Sequence, residues 1–116
     1  LIARNMKHGA FDLTGQLTLI QLAYAIQECS LFIGNDSAPM HLASYLEKPV
    51  LAFFGSTDPN LYGPWSGPSK YLQHKIDCQA CLDPTIANHD CIRAVTLEEA
   101  IAAFHIKGNQ VVFSLR

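Results

Sequence analysis

The apolar positions near the start of the chain recur at helical spacing. From Leu19 to Ile26 they fall at i, i+3, i+4 and i+7, which predicts an amphipathic helix over residues 18–29. Thr18, with Gln21 three positions later, is the capping-box pattern that often opens such a helix. The first regular element is therefore predicted to be a helix with one buried face.

Two short apolar runs follow. Residues 30–34 and 50–54 each carry apolar residues in succession, without the alternation of a half-exposed strand, and both are predicted to be buried strands. Residues 38–47 between them are predicted to form a helix, with Pro39 in the first turn, where a missing N–H costs nothing. Pro49 ends that helix.

The rest of the chain contains turns and short elements. Gly and Pro residues spread over 55–68 predict a loop, and Tyr71-Leu72 predicts a short strand. Thr96 begins a second capping box and opens a helix that we expect to end at Gly108, before a final strand at residues 111–113. The apolar face of that helix is predicted to comprise Leu97, Ala100, Ile101 and Phe104.

This alternation of strands and helices indicates an α/β fold in which helices cover both faces of a parallel sheet. The length of 116 residues fits one domain, 1–116. Parallel sheets bind ligands at the carboxyl ends of their strands, where the following loops gather. The residues after Ile33 and after Phe54 are therefore the places to look for a site.

Composition narrows the functional classes. Hydrophobic residues make up 49% and charged residues 16% of the chain, which excludes a disordered protein. The net charge of -2 argues against nucleic-acid binding and against a polybasic membrane anchor. The apolar runs are far shorter than a spanning helix, and the first residues lack the order of a signal peptide. We therefore expect a cytoplasmic protein with at most peripheral membrane association.

The loop after the first strand carries candidate binding chemistry. It leads from Asp36 and Ser37 directly into the predicted second helix, whose N-terminal N–H groups attract anions. The small side chain of Ala38 admits a ligand close to the backbone, and His41 lies one turn into the helix. Asp36 would repel a phosphate, so its natural partner is a sugar hydroxyl. The alternative is that Asp36 or Ser37 merely caps the helix.

The loop after the second strand, Gly55–Pro59, lies beside the first loop if the strands are parallel neighbours. Thr57 and Asp58 would then face the same crevice. On its own this loop is a weak signal, because its residues are ordinary in turns. Tyr62 and Trp65 come shortly after it; their rings could stack on a ligand ring, but we expect both to pack on the domain.

Three of the four cysteines are close in sequence. Cys78-x-x-Cys81 is followed by Cys91, with His89 beside it, and these are ligand types that suit a structural zinc ion. A single Cys-x-x-Cys pair is only a moderate signal, so reduced loop cysteines are the favoured interpretation and no metal is expected.

Together, the residues resemble glycosyltransferase family 9, the ADP-heptose:lipopolysaccharide heptosyltransferases. The resemblance rests on linked motifs in order: DLTG at 12–15, NDSAPMHLA at 35–43, and FGSTDP at 54–59. The loop with Cys78, Cys81 and Cys91 also fits the family. The resemblance to the family extends from about residue 10 to about residue 100. At the position of Ala38 the family usually has glycine.

The resemblance implies a GT-B architecture, of which this chain is part of the C-terminal, Rossmann-like domain that binds the nucleotide sugar. Asp36 would bond hydroxyls of the donor sugar, and His41 would assist at the pyrophosphate. Further residues expected to line the donor site are Ser37, Ala38, Thr57, Asp58 and Gly15. The donor would be ADP-heptose as a substrate, with no cofactor.

The implied reaction transfers heptose to the lipopolysaccharide inner core with inversion. By resemblance the general base and the acceptor site belong to an N-terminal domain that this chain lacks, so the chain alone is expected to be inactive. The location implied is the cytoplasm, at the inner face of the inner membrane. The alternative is a non-catalytic α/β module, either a degenerate remnant or an interaction domain stabilised by zinc at Cys78, Cys81 and Cys91.

Overall fold

Three parallel strands form the sheet on which the rest of the chain is arranged. The structure is a computed structural model, and it describes residues 3–74 and 90–114. In the sheet, strands β1 (Phe32–Asn35), β2 (Val50–Phe53) and β3 (Ser69–Leu72) lie in the order β1-β2-β3. The α/β prediction and the parallel arrangement are confirmed.

The helices that flank and connect these strands are short. They are α1 (Leu19–Glu28), α2 (Ala38–Tyr45), α3 (Pro59–Tyr62), α4 (Asp90–Arg93) and α5 (Leu97–Ala102), and a 3-10 turn spans Ala3–Asn5. The capping box predicted at Thr18 is present, with the Gln21 N–H donating to the Thr18 hydroxyl and the Gln21 side chain accepting from the Thr18 N–H. The second predicted box, at Thr96, is also present.

The core lies between the sheet and the first two helices. Ile26 of α1 and Met40 and Ala43 of α2 are buried against one face of β2. From β2 and the residue that follows it, Val50, Ala52 and Phe54 reach this core, as period-two alternation along a strand requires. This packing holds α2, and therefore the loop that precedes it, rigidly against the carboxyl end of the sheet.

The sheet is less completely covered than the apolar runs predicted. β2 is buried along Val50–Ala52, but β1 is an edge strand of the sheet with alternating burial, and half of the Ile33 side chain is exposed. An apolar run in the sequence predicts a buried strand, but it does not show whether another element of the fold covers that strand. The expectation of two covered faces is therefore wrong at β1.

The C-terminal helix ends earlier than its pattern predicted. α5 stops at Ala102, and Phe104, expected on its apolar face, begins β4 (Phe104–Lys107). β4 pairs antiparallel with β5 (Gln110–Phe113), so the final strand lies in a separate two-stranded sheet. Gly108 has a φ of +62° in the turn between them. The alternation of Phe104 and Ile106 with polar residues was the overlooked strand signal.

The segment predicted as one loop over 55–68 contains α3. Asp58 is its N-cap and Pro59 is its first helical residue, a combination that pre-organises a helical turn even among loop residues. β3 begins two residues before the predicted Tyr71. Among residues 3–74 and 90–114, no helix has the length and apolarity needed to cross a membrane.

Candidate functional site

The two candidate loops meet at the carboxyl edge of the sheet. The register pairs Asn35 of β1 with Phe53 of β2, and the Asp36 N–H continues this pairing with a 3.1 Å hydrogen bond to the Phe53 carbonyl. The chain after β1 enters α2 within three residues, whereas the chain after β2 passes through Thr57 to α3. The side-chain contact between Thr57 and Asp36 shows that the two loops are adjacent, and their role as one binding site stays a prediction.

Asp36 is the centre of that contact. Its Oδ2 accepts a 2.7 Å hydrogen bond from the Thr57 hydroxyl, and its Oδ1 lies 3.8 Å from Nε2 of His41. Asp36 and His41 keep 23% and 33% of their side-chain surface exposed, so a ligand can reach both. The residues brought together here are therefore one carboxylate, one hydroxyl and one imidazole.

Ser37 occupies the N-cap position of α2 without capping it. Its hydroxyl donates to the Asn35 carbonyl at 3.0 Å, and it makes no side-chain hydrogen bond to the first turn of the helix. The alternative that Ser37 merely caps the helix is therefore not supported, in contrast to Thr18 and Thr96, whose hydroxyls accept from their helices. Ala38, the first helical residue, is exposed. The N-terminal turn of α2 thus keeps its capacity to bind an anion.

His41 is held from the side by an aromatic ring. The imidazole stacks on the Trp65 indole with 5.1 Å between ring centroids and 19° between ring planes. Within residues 3–74 and 90–114, His41 Nδ1 is buried and has no hydrogen-bond partner, and Nε2 is the nitrogen that faces Asp36. Trp65 packs on the domain through this stack, but 63% of its side chain is exposed.

Two predicted site residues are engaged elsewhere. The Asp58 carboxylate caps α3, where its Oδ1 accepts from the N–H and the side-chain amide of Asn60 at 2.9 and 3.0 Å. Gly15 lies in the turn before α1 with a φ of +68°, which fits the tight-turn role. Within that turn, hydrogen bonds from the Thr14 side chain and N–H lower the pKa of Asp12. Neither Asp58 nor Gly15 takes part in the contacts that Asp36 makes with Thr57 and His41.

Two residues that support the site carried no motif. Gln73 follows β3, and its side-chain amide donates 2.9 Å hydrogen bonds to the carbonyls of Gly55 and Thr57, which fixes the second loop. Ser44, fully buried in α2, contacts the loop that carries Trp65. The strand-end rule that identified Asp36 also points to Gln73, which follows the predicted strand Tyr71-Leu72, but the rule was applied only after Ile33 and Phe54. No sequence signal distinguishes Ser44.

The zinc hypothesis is only partly within the described residues. Cys78, Cys81 and His89 lie outside them, whereas Cys91 is buried, with its sulfur close to Gly55. Over 3–74 and 90–114 there is no group of three His, Cys, Asp or Glu side chains suited to a metal. His74, near the same region in sequence, is bonded to the Glu99 carboxylate at 2.9 Å. The prediction for the cysteines stays untested.

Comparison with known proteins agrees with this arrangement. The family model of glycosyltransferase family 9 (heptosyltransferase) matches residues 1–91. The chain is 32% identical over 93 residues to lipooligosaccharide heptosyltransferase 2 of Campylobacter jejuni, an alignment that covers 78% of this chain and 29% of that protein. It is 43% identical over 54 residues to lipopolysaccharide heptosyltransferase 3 of Escherichia coli, covering 47% of this chain and 16% of that one.

A solved structure shares the fold. The glycosyl transferase family 9 structure from Veillonella parvula superposes with a TM-score of 0.73 and 28% sequence identity over 86% of this chain and 29% of that chain. The chain therefore spans less than a third of the length of the C. jejuni relative and of this structural neighbour. With the family model matching most of its residues, the chain belongs to glycosyltransferase family 9, the heptosyltransferase family.

Proposed function

We propose that the carboxyl edge of the sheet binds the nucleotide-sugar donor of a heptosyltransferase. The observation that carries this proposal is the grouping of Asp36, Thr57 and His41 at the N-terminal end of α2. A capping role does not explain this grouping. The Ser37 hydroxyl does not cap α2, and a cap would not require these three side chains to converge. Family membership supplies the class of reaction to which such a site contributes.

The diphosphate of the donor would lie at the first turn of α2. The backbone N–H groups of Ser37 and Ala38 would donate to it, and the helix dipole favours the negative charge. His41 would assist from the next turn. As the donor bond breaks, charge accumulates on the departing diphosphate, and donors fixed in advance stabilise that charge most effectively.

Asp36 would bind the sugar and not the phosphates. A carboxylate repels a phosphate at close range but accepts hydrogen bonds from sugar hydroxyls. The Thr57 hydroxyl donates to Oδ2 and so holds the carboxylate in one orientation. Asp58 and Gly15 would contribute less directly, through the shape of the second loop and of the turn before α1.

For the whole protein we propose transfer of heptose from ADP-heptose to the lipopolysaccharide inner core, within a GT-B architecture in the cytoplasm. The relatives bear the names of lipopolysaccharide and lipooligosaccharide heptosyltransferases. We propose that transfer requires no cofactor, because the N–H groups at the start of α2 would stabilise the departing diphosphate. We place the general base and the acceptor site outside these 116 residues, and we expect no transfer by this chain alone.

Calorimetric titration of the 116-residue chain with ADP and with ADP-heptose tests the donor site. Both ligands should bind, and Asp36→Ala should weaken ADP-heptose about tenfold, the effect of losing a hydrogen bond to a charged group, while changing ADP affinity little. Asp90→Ala, which removes an exposed carboxylate on α4, is the matched control and should change neither. Equal losses for the two ligands would contradict the role of Asp36.

The same titration separates the donor site from the interaction-module alternative. A chain that binds neither ADP nor ADP-heptose, although folded, would be the module. Amide chemical shifts that move on adding ADP should fall on residues 36–41 and on Thr57. Shifts confined to other regions of the described chain would also contradict the proposal.

A further inference from the structure

The loop that carries Trp65 has little structure of its own. Residues 63–68 contain two glycines and two prolines and no helix or strand, so their position depends on the contacts they make. Yet Trp65 stacks on His41 with nearly parallel rings, an arrangement that requires the loop to be held in one place. Something outside the loop must therefore fix it.

Ser44 supplies that attachment. Its hydroxyl accepts hydrogen bonds from the backbone N–H groups of Trp65 and Ser66, each at 3.0 Å, and donates to the Ser66 carbonyl at 3.2 Å. A serine hydroxyl has one donor and two acceptor positions, so Ser44 uses its full hydrogen-bonding capacity on this loop. The Ser66 hydroxyl in turn donates to the Ser44 carbonyl.

The position of Ser44 on α2 connects this attachment to the site. Ser44 is three residues after His41, so the two side chains lie on the same face of the helix, one turn apart. Ser44 is fully buried, which means that water does not compete for its hydrogen bonds. One turn of α2 therefore presents His41, and the next turn fixes the ring that packs on it.

We propose that Ser44 is a positioning residue of the donor site: it fixes the Trp65 indole against the His41 imidazole and so keeps Nε2 directed toward Asp36. The inference rests on the proposed function for its effect on ligand binding. An imidazole rotates readily about its terminal torsion, and among the described residues His41 Nδ1 has no hydrogen-bond partner to prevent this. The stacked indole is the contact that restricts the rotation.

Two measurements on the same variants test the proposal. Trp65 is the only tryptophan, so ring-current displacement of the His41 imidazole protons in NMR spectra reports the stack directly. These resonances, identified by their loss in His41→Gln, should lie upfield in the parent chain. Ser44→Ala should move them downfield and weaken ADP binding about tenfold, comparable to losing one hydrogen bond to a charged group.

Ser66→Ala and Ser30→Ala complete the series. Ser66→Ala removes the return hydrogen bond from the loop side, and it should shift the resonances in the same direction by less, which keeps the test decisive if Ser44→Ala does not fold. Ser30→Ala changes an exposed serine and should have no effect.

The outcomes distinguish the positioning role of Ser44 from the proposed donor site. Unchanged His41 resonances in folded Ser44→Ala would overturn the positioning role, as would displaced resonances with unchanged ADP affinity. If the parent chain binds no ADP while Ser44→Ala still displaces the resonances, the donor site is wrong, and Ser44 positions Trp65 for some other purpose.

Discussion

The Thr57 hydroxyl donates a 2.7 Å hydrogen bond to Oδ2 of Asp36 across 21 positions of sequence. The two residues follow different strands, and their contact exists because β1 and β2 are parallel neighbours whose carboxyl ends coincide. It leaves Oδ1 of Asp36 facing His41. The hydrogen bond thus determines which oxygen of Asp36 is left for a ligand and for the imidazole.

Replacing Thr57 by valine tests this relationship with little change of shape. Thr57→Val should weaken ADP-heptose binding about fivefold to tenfold, because the Asp36 carboxylate loses the donor that orients it. ADP binding should change less. Ser56→Ala, which removes the exposed hydroxyl one residue earlier, serves as the control in calorimetry. Equal effects of the two substitutions would show that the contact does not orient Asp36.

Gln73 should prove necessary for the second loop. Gln73→Glu replaces an amide donor by a carboxylate that faces the carbonyls of Gly55 and Thr57. Its free energy of unfolding in urea should fall by about 1–3 kcal/mol, the typical result of leaving partly buried acceptors unpaired. Gln73→Leu should destabilise less, because it adds no negative charge. A Gln73→Glu chain as stable as the parent would contradict this account of the loop.

Position 38 should control how closely a diphosphate approaches α2. Ala38 is exposed at the first helical position, and a side chain there stands between the ligand and the backbone N–H groups. Ala38→Gly should tighten ADP binding about threefold, and Ala38→Val should weaken it by a similar factor, each near 0.6 kcal/mol. Calorimetry on the three chains should give that order, whereas identical affinities would place the diphosphate elsewhere.

Acid should remove one stabilising contact far from the site. The pKa of Glu99 is lowered, first by the hydrogen bond from the Thr96 N–H and then by the one with His74. A carboxyl whose pKa is lower in the folded chain stabilises it above the ordinary glutamate pKa, and the effect disappears as the pH falls through the lowered value. Glu99→Gln should therefore reduce the Tm at neutral pH and converge with the parent in acid.

Glu98→Gln is the control for that measurement. Glu98 is the adjacent, exposed residue of α5, and its substitution should leave the dependence of Tm on pH unchanged. A constant difference in Tm between Glu99→Gln and the parent at every pH would show that Glu99 acts through shape and not through its charge.

Local patterns predicted the elements whose stability is local. The Thr18 and Thr96 capping boxes, the helix after Thr18 and the strand at Val50 all match the structure, because caps and continuous apolar runs act over a few residues. The first strand of the C-terminal hairpin was mistaken for the end of a longer helix, whereas its second strand was predicted at residues 111–113. There Phe104 suits either a helical face or an alternating strand, and pairing with Phe113 selects the strand.

Part of the candidate site was predictable from the sequence. Strand ends in a parallel sheet share one edge, so Asp36 and Thr57 were expected together, and the structure places them in contact. The uncapped turn at Ser37 was not foreseen, since a serine before a helix usually caps it. Its hydroxyl bonds to Asn35 instead, a choice between two neighbouring acceptors that composition does not reveal.

By itself the sequence determined the order of the first two helices and of the three parallel strands, the family and the polar residues at two strand ends, because these depend on neighbours along the chain. Only the tertiary structure decided that Ser44 and Gln73 support those residues and that Trp65 covers His41. Those contacts join positions far apart in sequence, and their stability comes from burial, which exists only once the chain has folded.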